Sequence, residues 1–223
     1  MTNPIIALDL PMQRAMELAW ESISNGSLGI GAVITTETGE ILATGRNRLY
    51  ETDPGDDVLA GSSVAHAEMN ALAKMRKGVG RGAPIVLSTT LQPCLQCLGA
   101  IRLSDVTEVR VLSPDPLFRG VERARDLNEF LGRRWPAFFE REVDEWAALS
   151  LLFPTHTAAF WAAPVQGWNE TVPTLATLAA ELVASGELVG LALRDASLDE
   201  VADALWSRLD RCVPEIAALA AQT

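Results

Sequence analysis

The sequence predicts an α/β protein. Its main body reads as a three-layer α-β-α sandwich around a mixed central sheet, and a mostly helical C-terminal extension follows. Three observations support this. Helical and strand periodicities alternate through residues 10–113. A hairpin opens the strand order, so the first pair is antiparallel, while right-handed crossovers make the later strands parallel. Beyond residue 154 strand patterns stop and helix signals take over. The expected organisation is a catalytic domain over 1–153 and an extension over 154–223.

The elements follow in order. Residues 10–25 predict a helix, with Pro11 at its start, an apolar stripe through Ala15, Met16, Leu18 and Ala19, and a stop at Asn25-Gly26. Residues 30–36 and 40–45 predict strands joined by the turn Glu37-Thr38-Gly39. A loop over about 47–62 carries Glu51, Asp53, Pro54, Gly55, Asp56 and Asp57. A helix over 63–76 is expected next, capped by Ser62 or Ser63. The run Gly78-Val79-Gly80-Arg81-Gly82 lies after a helix and before a strand, the reverse of a phosphate-cradling loop, so it reads as a turn. A buried strand over 84–89, a helix over 94–104 behind Pro93 and a strand over 108–113 complete the alternation. Residues 136–153 add one more strand and helix. In the extension, Pro173 opens a helix that Ser185-Gly186 closes, Ser197 and Glu200 form a capping box, and Pro214 opens a last helix. Five of six tryptophans lie at or beyond Trp135, which core packing of these helices explains.

Composition narrows the function classes. The 223 residues are 48% hydrophobic and 21% charged, with a net charge of −11. Residues 1–113 hold 9 basic and 12 acidic side chains, and the remainder 9 and 17. Binders of nucleic acid usually carry a basic patch, because phosphate neutralisation dominates their affinity. None is visible here, so nucleic acid is not the expected partner. No apolar run approaches the roughly 18 residues of a membrane span, and no signal peptide opens the chain. Three cysteines do not make a disulfide framework, so the cytoplasm is the expected compartment.

One constellation carries chemistry: His66-Ala67-Glu68 and, further on, Pro93-Cys94-Leu95-Gln96-Cys97. His66, Cys94 and Cys97 suit Zn²⁺. Cys94 and Cys97 are three apart, so a helix places them on one face, near a helix N-terminus that favours thiolates. Three protein ligands leave a tetrahedral position open, the mark of a catalytic site; a structural site would need a fourth ligand, for which His156 and Cys212 are the remaining candidates. Glu68 is placed to face the open position. A lone Cys-x-x-Cys would also fit a redox pair or two buried thiols. In this order, however, the motifs match the zinc-deaminase signature His-x-Glu and Pro-Cys-x-x-Cys.

The chain resembles the cytidine-deaminase-like superfamily, in the branch that holds tRNA adenosine, guanine and cytosine deaminases. The resemblance rests on Gly31-Ala32-Val33-Ile34, Ala43-Thr44-Gly45-Arg46-Asn47-Arg48, His66 to Leu72, and Thr89 to Cys97 continued by Gly99-Ala100-Ile101. It covers about residues 10–113 and thins toward 153. It implies zinc as cofactor, held by His66, Cys94 and Cys97, with Glu68 as the proton shuttle. Asn47 matches an asparagine that hydrogen-bonds the base, and the backbone amides of Ala67 and Cys94 match groups that contact substrate. Relatives often carry Pro at the position of Gly29 and Glu at that of Gln92. The implied reaction is hydrolytic deamination, with release of ammonia, at the exocyclic amine of a nucleobase, nucleoside or related small heterocycle. Water is the second substrate, and a homodimer is an expected assembly. The acidic loop after Asn47 would rim the pocket and repel phosphate, which favours a neutral substrate. Phe153, Phe160, Trp161 and Trp168 are candidates for a stacking wall, and the extension carrying them would serve as lid, packing element or dimer contact. Editing of tRNA adenosine and a non-catalytic zinc-binding module are the alternatives.

Overall fold

The structure, a computed structural model, describes residues 8–53, 55, 59–79, 82–161 and 166–222. Helix α1 (Leu10–Ser24) starts at Asp9, whose side chain accepts the Met12 N–H, and Pro11 occupies its first turn. Strands β1 (Gly31–Thr36) and β2 (Ile41–Arg46) pair antiparallel across the predicted turn. Helix α2 (Ala67–Lys74), β3 (Ile85–Leu91), α3 (Leu95–Leu103) and β4 (Glu108–Ser113) follow. A 3₁₀ turn over Val121–Leu127 and the short α4 (Glu129–Gly132) lead to β5 (Ala137–Glu140) and α5 (Glu145–Phe160). The rest is helical: α6 (Gln166–Thr171), α7 (Pro173–Ser185), α8 (Glu187–Leu193), α9 (Leu198–Leu209) and α10 (Val213–Ala220).

The sheet order is β2-β1-β3-β4-β5. β1 runs antiparallel to both β2 and β3, and β3, β4 and β5 are parallel, so the sheet is mixed as expected. Strand periodicity sorts the two faces. Ala32 and Ile34 of β1 join Ala67, Ala71 and Ile101 on the side of α2 and α3. Val33 between them joins Met16, Leu149 and Leu152 on the side of α1 and α5. The three layers are therefore α1 and α5, the sheet, and α2 and α3.

Helix α5 is buried from Trp146 to Ala158, as a helix apolar all round must be. Residue 153 lies within it. One face of α5 meets α1 and the sheet, and another meets α7, α9 and α10. Leu175, Leu178, Leu182, Val201, Leu205, Leu209 and Ile216 thus share one core with Met12, Met16 and Trp20. The Trp20 indole N–H donates to the Ala196 carbonyl at 2.7 Å, and its ring stands 5.8 Å from Phe153. Gly29 belongs to the same packing: a Cβ there would overlap Phe153 Cβ, so the proline common in relatives does not fit under this α5.

One expectation changes. Helix α2 starts at Ala67, not at residue 63. The Ser62 hydroxyl donates to the Leu59 carbonyl instead of accepting a helix N–H. Ala65 is held beyond the end of β2 by the Arg48 N–H and the Asn70 side chain, both donating to its carbonyl. Gly186, read as a helix stop, closes α7 in the left-handed region (φ 68°) and at once caps α8, so the chain re-enters a helix without a loop. The capping box at Ser197 and Glu200 is present. Within the turn that begins at Gly78, Gly80 and Arg81 lie outside the described residues. No single helix among the described residues is long and apolar enough to cross a membrane.

Candidate active site

Two helix starts build the site. His66 is the residue before α2, extended at φ −72° and ψ 157°, and Cys94 holds the same position before α3 at φ −68° and ψ 170°. Cys97 lies in the first turn of α3 and is fully buried. His66 Nδ1 is 3.4 Å from Cys94 Sγ and 3.5 Å from Cys97 Sγ, and the two sulfurs are 3.5 Å apart. Donors bound at zinc distances in a tetrahedron stand roughly 3.5–3.8 Å apart. The three atoms therefore form one face of such a tetrahedron, and they are the group among the described residues able to hold a metal ion. The fourth-ligand candidates fall elsewhere: His156 lies toward the end of α5, and Cys212 in the turn before α10.

Without a metal the triad shares protons that a bound cation would displace, since ligating thiols and imidazole must be deprotonated. The Cys97 thiol, donating to Cys94, holds the Cys94 thiol down at about 4, assisted by His66. Cys97 is pushed far up in turn by that shared proton and by burial. The hydrogen bond to Cys94 raises His66, against the effect of its own burial.

Glu68 sits in the first turn of α2, 4% exposed, and its carboxyl is raised mainly by burial. The Thr89 hydroxyl, on β3, donates to Glu68 Oε1 at 3.2 Å. Oε2 lies 3.4 Å from Cys97 Sγ, so the carboxylate stands beside the triad without belonging to it. Ala67 opens α2, where a backbone N–H has no intrahelical acceptor. The loop after β2 contributes Asn47, 1% exposed. Its Oδ1 accepts from the Ser27 hydroxyl and the Leu49 N–H, each at 3.1 Å. That fixes which end of the amide is the oxygen. Asn47 Nδ2 is buried and has no partner among the described residues.

Asn47, His66, Glu68 and Cys94 share a cavity of about 140 Å³, lined also by Gln92, Asp115, Leu117, Phe118 and Trp168. Trp168 is the aromatic that the extension delivers to the pocket. Phe153 is core, and Phe160 and Trp161 face a different cleft. Asp115 was not among the expected site residues. Burial pushes its carboxyl up to about 6, although Oδ1 accepts from the Leu117 N–H at 2.8 Å and the Trp168 indole N–H at 3.3 Å. Its position just past the end of β4 was the available signal, since ligands bind beyond the carboxyl ends of strands in such sheets. Gln92 Oε1 accepts the Asp115 N–H and so orients the backbone that carries Asp115, while its Nε2 donates to Glu122 Oε2 at 3.5 Å, a contact that a carboxylate could not make. Thr89 and Ser27 left no signal. Of the acidic loop, Glu51 is tied to Arg46 and Arg48 rather than open to the pocket. Pro54, Asp56 and Asp57 lie outside the described residues.

Purified, unchelated protein is expected to carry one zinc per chain. Cys94→Ser should reduce that to well under 0.1 per chain, because a hydroxyl is a poor substitute for thiolate at this metal. Elemental analysis checks both. Full zinc retention in Cys94→Ser would remove Cys94 from the ligand set.

Comparison with known proteins agrees with this geometry. Residues 8–113 match the family described as the cytidine and deoxycytidylate deaminase zinc-binding region. A tRNA-specific adenosine deaminase of Bacillus subtilis is 36% identical over 110 residues, which cover 48% of this chain and 63% of that protein. One of Streptococcus pyogenes serotype M1 is 32% identical over 113 residues, 50% of this chain and 61% of that one. The chain thus spans about three-fifths of the length of these curated relatives. A solved structure from work on A-to-I editing by tRNA:A34 deaminases is 22% identical, with a TM-score of 0.47 over 59% of this chain and 96% of that one. The matched region contains the whole His66, Glu68, Cys94 and Cys97 set, and through it residues 8–113 are similar to the zinc-binding region of cytidine and deoxycytidylate deaminases.

Proposed function

We propose that the protein hydrolyses the exocyclic amine of a nucleobase, nucleoside or related small heterocycle to a carbonyl, releasing ammonia. The observation that carries this reading is Asn47. Its amide N–H₂ is a buried donor without a partner among the described residues, in the same cavity as Glu68, His66 and Cys94. An unpaired buried donor costs on the order of 1–3 kcal/mol, a cost that a ligand acceptor removes. A carbonyl or ring nitrogen of a heterocycle supplies one. The cavity matches in size an engineered one of about 150 Å³ that takes benzene, so it suits a single base better than a larger group.

Each residue then has a task. His66, Cys94 and Cys97 would hold zinc, which when bound would supply a Lewis acid that brings the pKa of water toward 7. Thr89 pins Glu68 Oε1 and leaves Oε2 to move the proton. Glu68 first takes a proton from water, passes it to the ring nitrogen next to the reacting carbon, and then assists ammonia in leaving. Oxygen enters, nitrogen departs, and no redox partner is needed. Burial of Glu68 raises its carboxyl above the ordinary glutamate range, the direction that favours proton uptake by a shuttle. Asn47 orients the ring, Trp168 with Leu117 and Phe118 gives it an apolar wall, and Asp115 offers a carboxyl to an N–H edge. The backbone amides of Ala67 and Cys94 stand at the helix starts that border the same cavity.

The second reading is editing of adenosine in tRNA. It is favoured by the names of the relatives, tRNA-specific adenosine deaminases. Against it stands the net charge of −11, together with the ion pairs that already engage Arg46 and Arg48. Ammonia release measured over free bases, nucleosides and tRNA separates the two. For a neutral substrate, KM is expected to change less than twofold between 50 and 300 mM salt, on the order expected when no phosphate contact is screened. Turnover confined to tRNA, with KM rising steeply with salt, would give the site to the second reading.

A further inference from the structure

A second cleft, of about 240 Å³, lies between the end of α1, the end of α5 and α8. It shares no lining residue with the catalytic cavity. Its walls are apolar apart from His156, Thr157 and Ser24. Phe160, Trp161 and Leu193 stand exposed at the mouth, and Val189 and Ala192 form the α8 side. Trp161 is held in place by Phe160, perpendicular at 5.5 Å, and by Tyr50 at 5.8 Å. Three exposed apolar side chains around one concave surface are more than the scattered single ones that need no explanation.

His156 gives the cleft its specificity. It is 4% exposed, yet its Nε2 is buried with no partner among the described residues. Neighbouring polar groups are otherwise engaged: the Thr157 hydroxyl donates to the Ser27 and Phe153 carbonyls, and the Ser24 hydroxyl donates to the Trp20 carbonyl. An unpaired nitrogen is costly to bury, and an apolar chain could have placed leucine or phenylalanine there at no such cost. Burial also holds His156 down at about 4, so at neutral pH the ring is uncharged and suits an uncharged partner.

We propose that this cleft is a ligand site, distinct from the catalytic one, for a neutral planar bicyclic heterocycle whose ring nitrogen pairs with His156 Nε2 while its faces lie among Phe160, Trp161 and Val189. The volume exceeds that of the engineered benzene site of about 150 Å³, leaving room for a fused two-ring system. The site stands on its own geometry and holds whichever substrate the catalytic cavity takes.

Indazole is a suitable probe, because it is uncharged and presents an N–H donor beside an acceptor nitrogen, so it meets either tautomer of His156. Indene has the same two-ring shape without nitrogen. Calorimetric titration of the full-length zinc protein is expected to show one saturable indazole site per chain, with indene bound about tenfold more weakly, the worth of one hydrogen bond. His156→Phe keeps the ring shape and removes the nitrogen. It should keep the fold, checked by thermal melting, and erase the preference for indazole over indene. Ala192→Phe fills the cleft from α8 and should block both ligands while leaving deaminase activity intact. Three results overturn the proposal: no saturable indazole binding, a preference that survives in His156→Phe, or binding that persists in folded Ala192→Phe, which would place the ligand elsewhere. Should Ala192→Phe fail to fold, the His156→Phe comparison decides alone.

Discussion

Glu68→Gln is expected to lose turnover by roughly 10²–10⁴-fold while keeping one zinc per chain, the size of effect typical when a general acid–base is removed. The substitution is close to isosteric. The amide oxygen can still accept from the Thr89 hydroxyl as Oε1 does now, so the side chain should keep its place. What the amide cannot do is take a proton from water or return one to a ring nitrogen. His66, Cys94 and Cys97 are untouched, and none depends on Glu68 to stand within metal reach of the others. Ammonia release on a substrate that the parent enzyme turns over, paired with elemental analysis, separates the two effects. A variant with near-parental turnover would mean that this is a zinc-binding module whose buried carboxyl has another purpose. Loss of both zinc and turnover would reassign Glu68 to the support of the metal site.

The parts of this site that the sequence made legible are those encoded over short distances. His66-x-Glu68 and Cys94-x-x-Cys97 each fall within one turn at a helix start, so spacing alone brings their atoms together. Strand β4 was readable for the same reason: an alternating pattern bounded by turn residues needs no partner to be recognised. Legibility failed where distant segments decide local structure. The start of α2 carries plausible serine caps at residues 62 and 63, but hydrogen bonds from Arg48 and Asn70 to the Ala65 carbonyl hold that stretch out of the helix. The result matters for the site, because it leaves His66 at the mouth of α2 rather than inside its first turn. Ser27 orients Asn47 across twenty residues, and Trp168 reaches Asp115 across fifty-three. Nothing in either neighbourhood announces the other, since these contacts exist only once α1 has packed on the sheet and α6 has come beside the segment after β4.

A chain ending at residue 153 is expected to lose its cooperative thermal transition altogether. The cut falls inside α5, takes Trp206 of α9 away from the Trp146 ring that it meets at 5.3 Å, and leaves the face of α5 that met α7, α9 and α10 open to water. The removed segment itself buries Leu175, Leu178, Leu182, Leu188, Val201, Leu205, Leu209, Ile216 and Leu219. Each such side chain contributes on the order of 1.5–3 kcal/mol by burial. A domain of this size is stable by only about 5–15 kcal/mol in total, so the exposure on the remaining side suffices to unfold it. The Trp20 indole would also lose its acceptor, the Ala196 carbonyl, and the pocket its Trp168 wall. A milder probe of the same interface is Leu178→Ala in the full chain, which should cost about 2–5 kcal/mol and stay folded enough to measure. Denaturant titration reads that loss, and calorimetry with dye binding reads the truncation, whose exposed apolar surface should bind the dye strongly. A truncated chain that melts cooperatively near the parental temperature, with KM and kcat unchanged, would show that the helices after residue 153 are an appendage to a self-sufficient deaminase. Their shared core with α1 and α5 argues the opposite: in this protein the extension is the outer half of the layer on which the sheet rests.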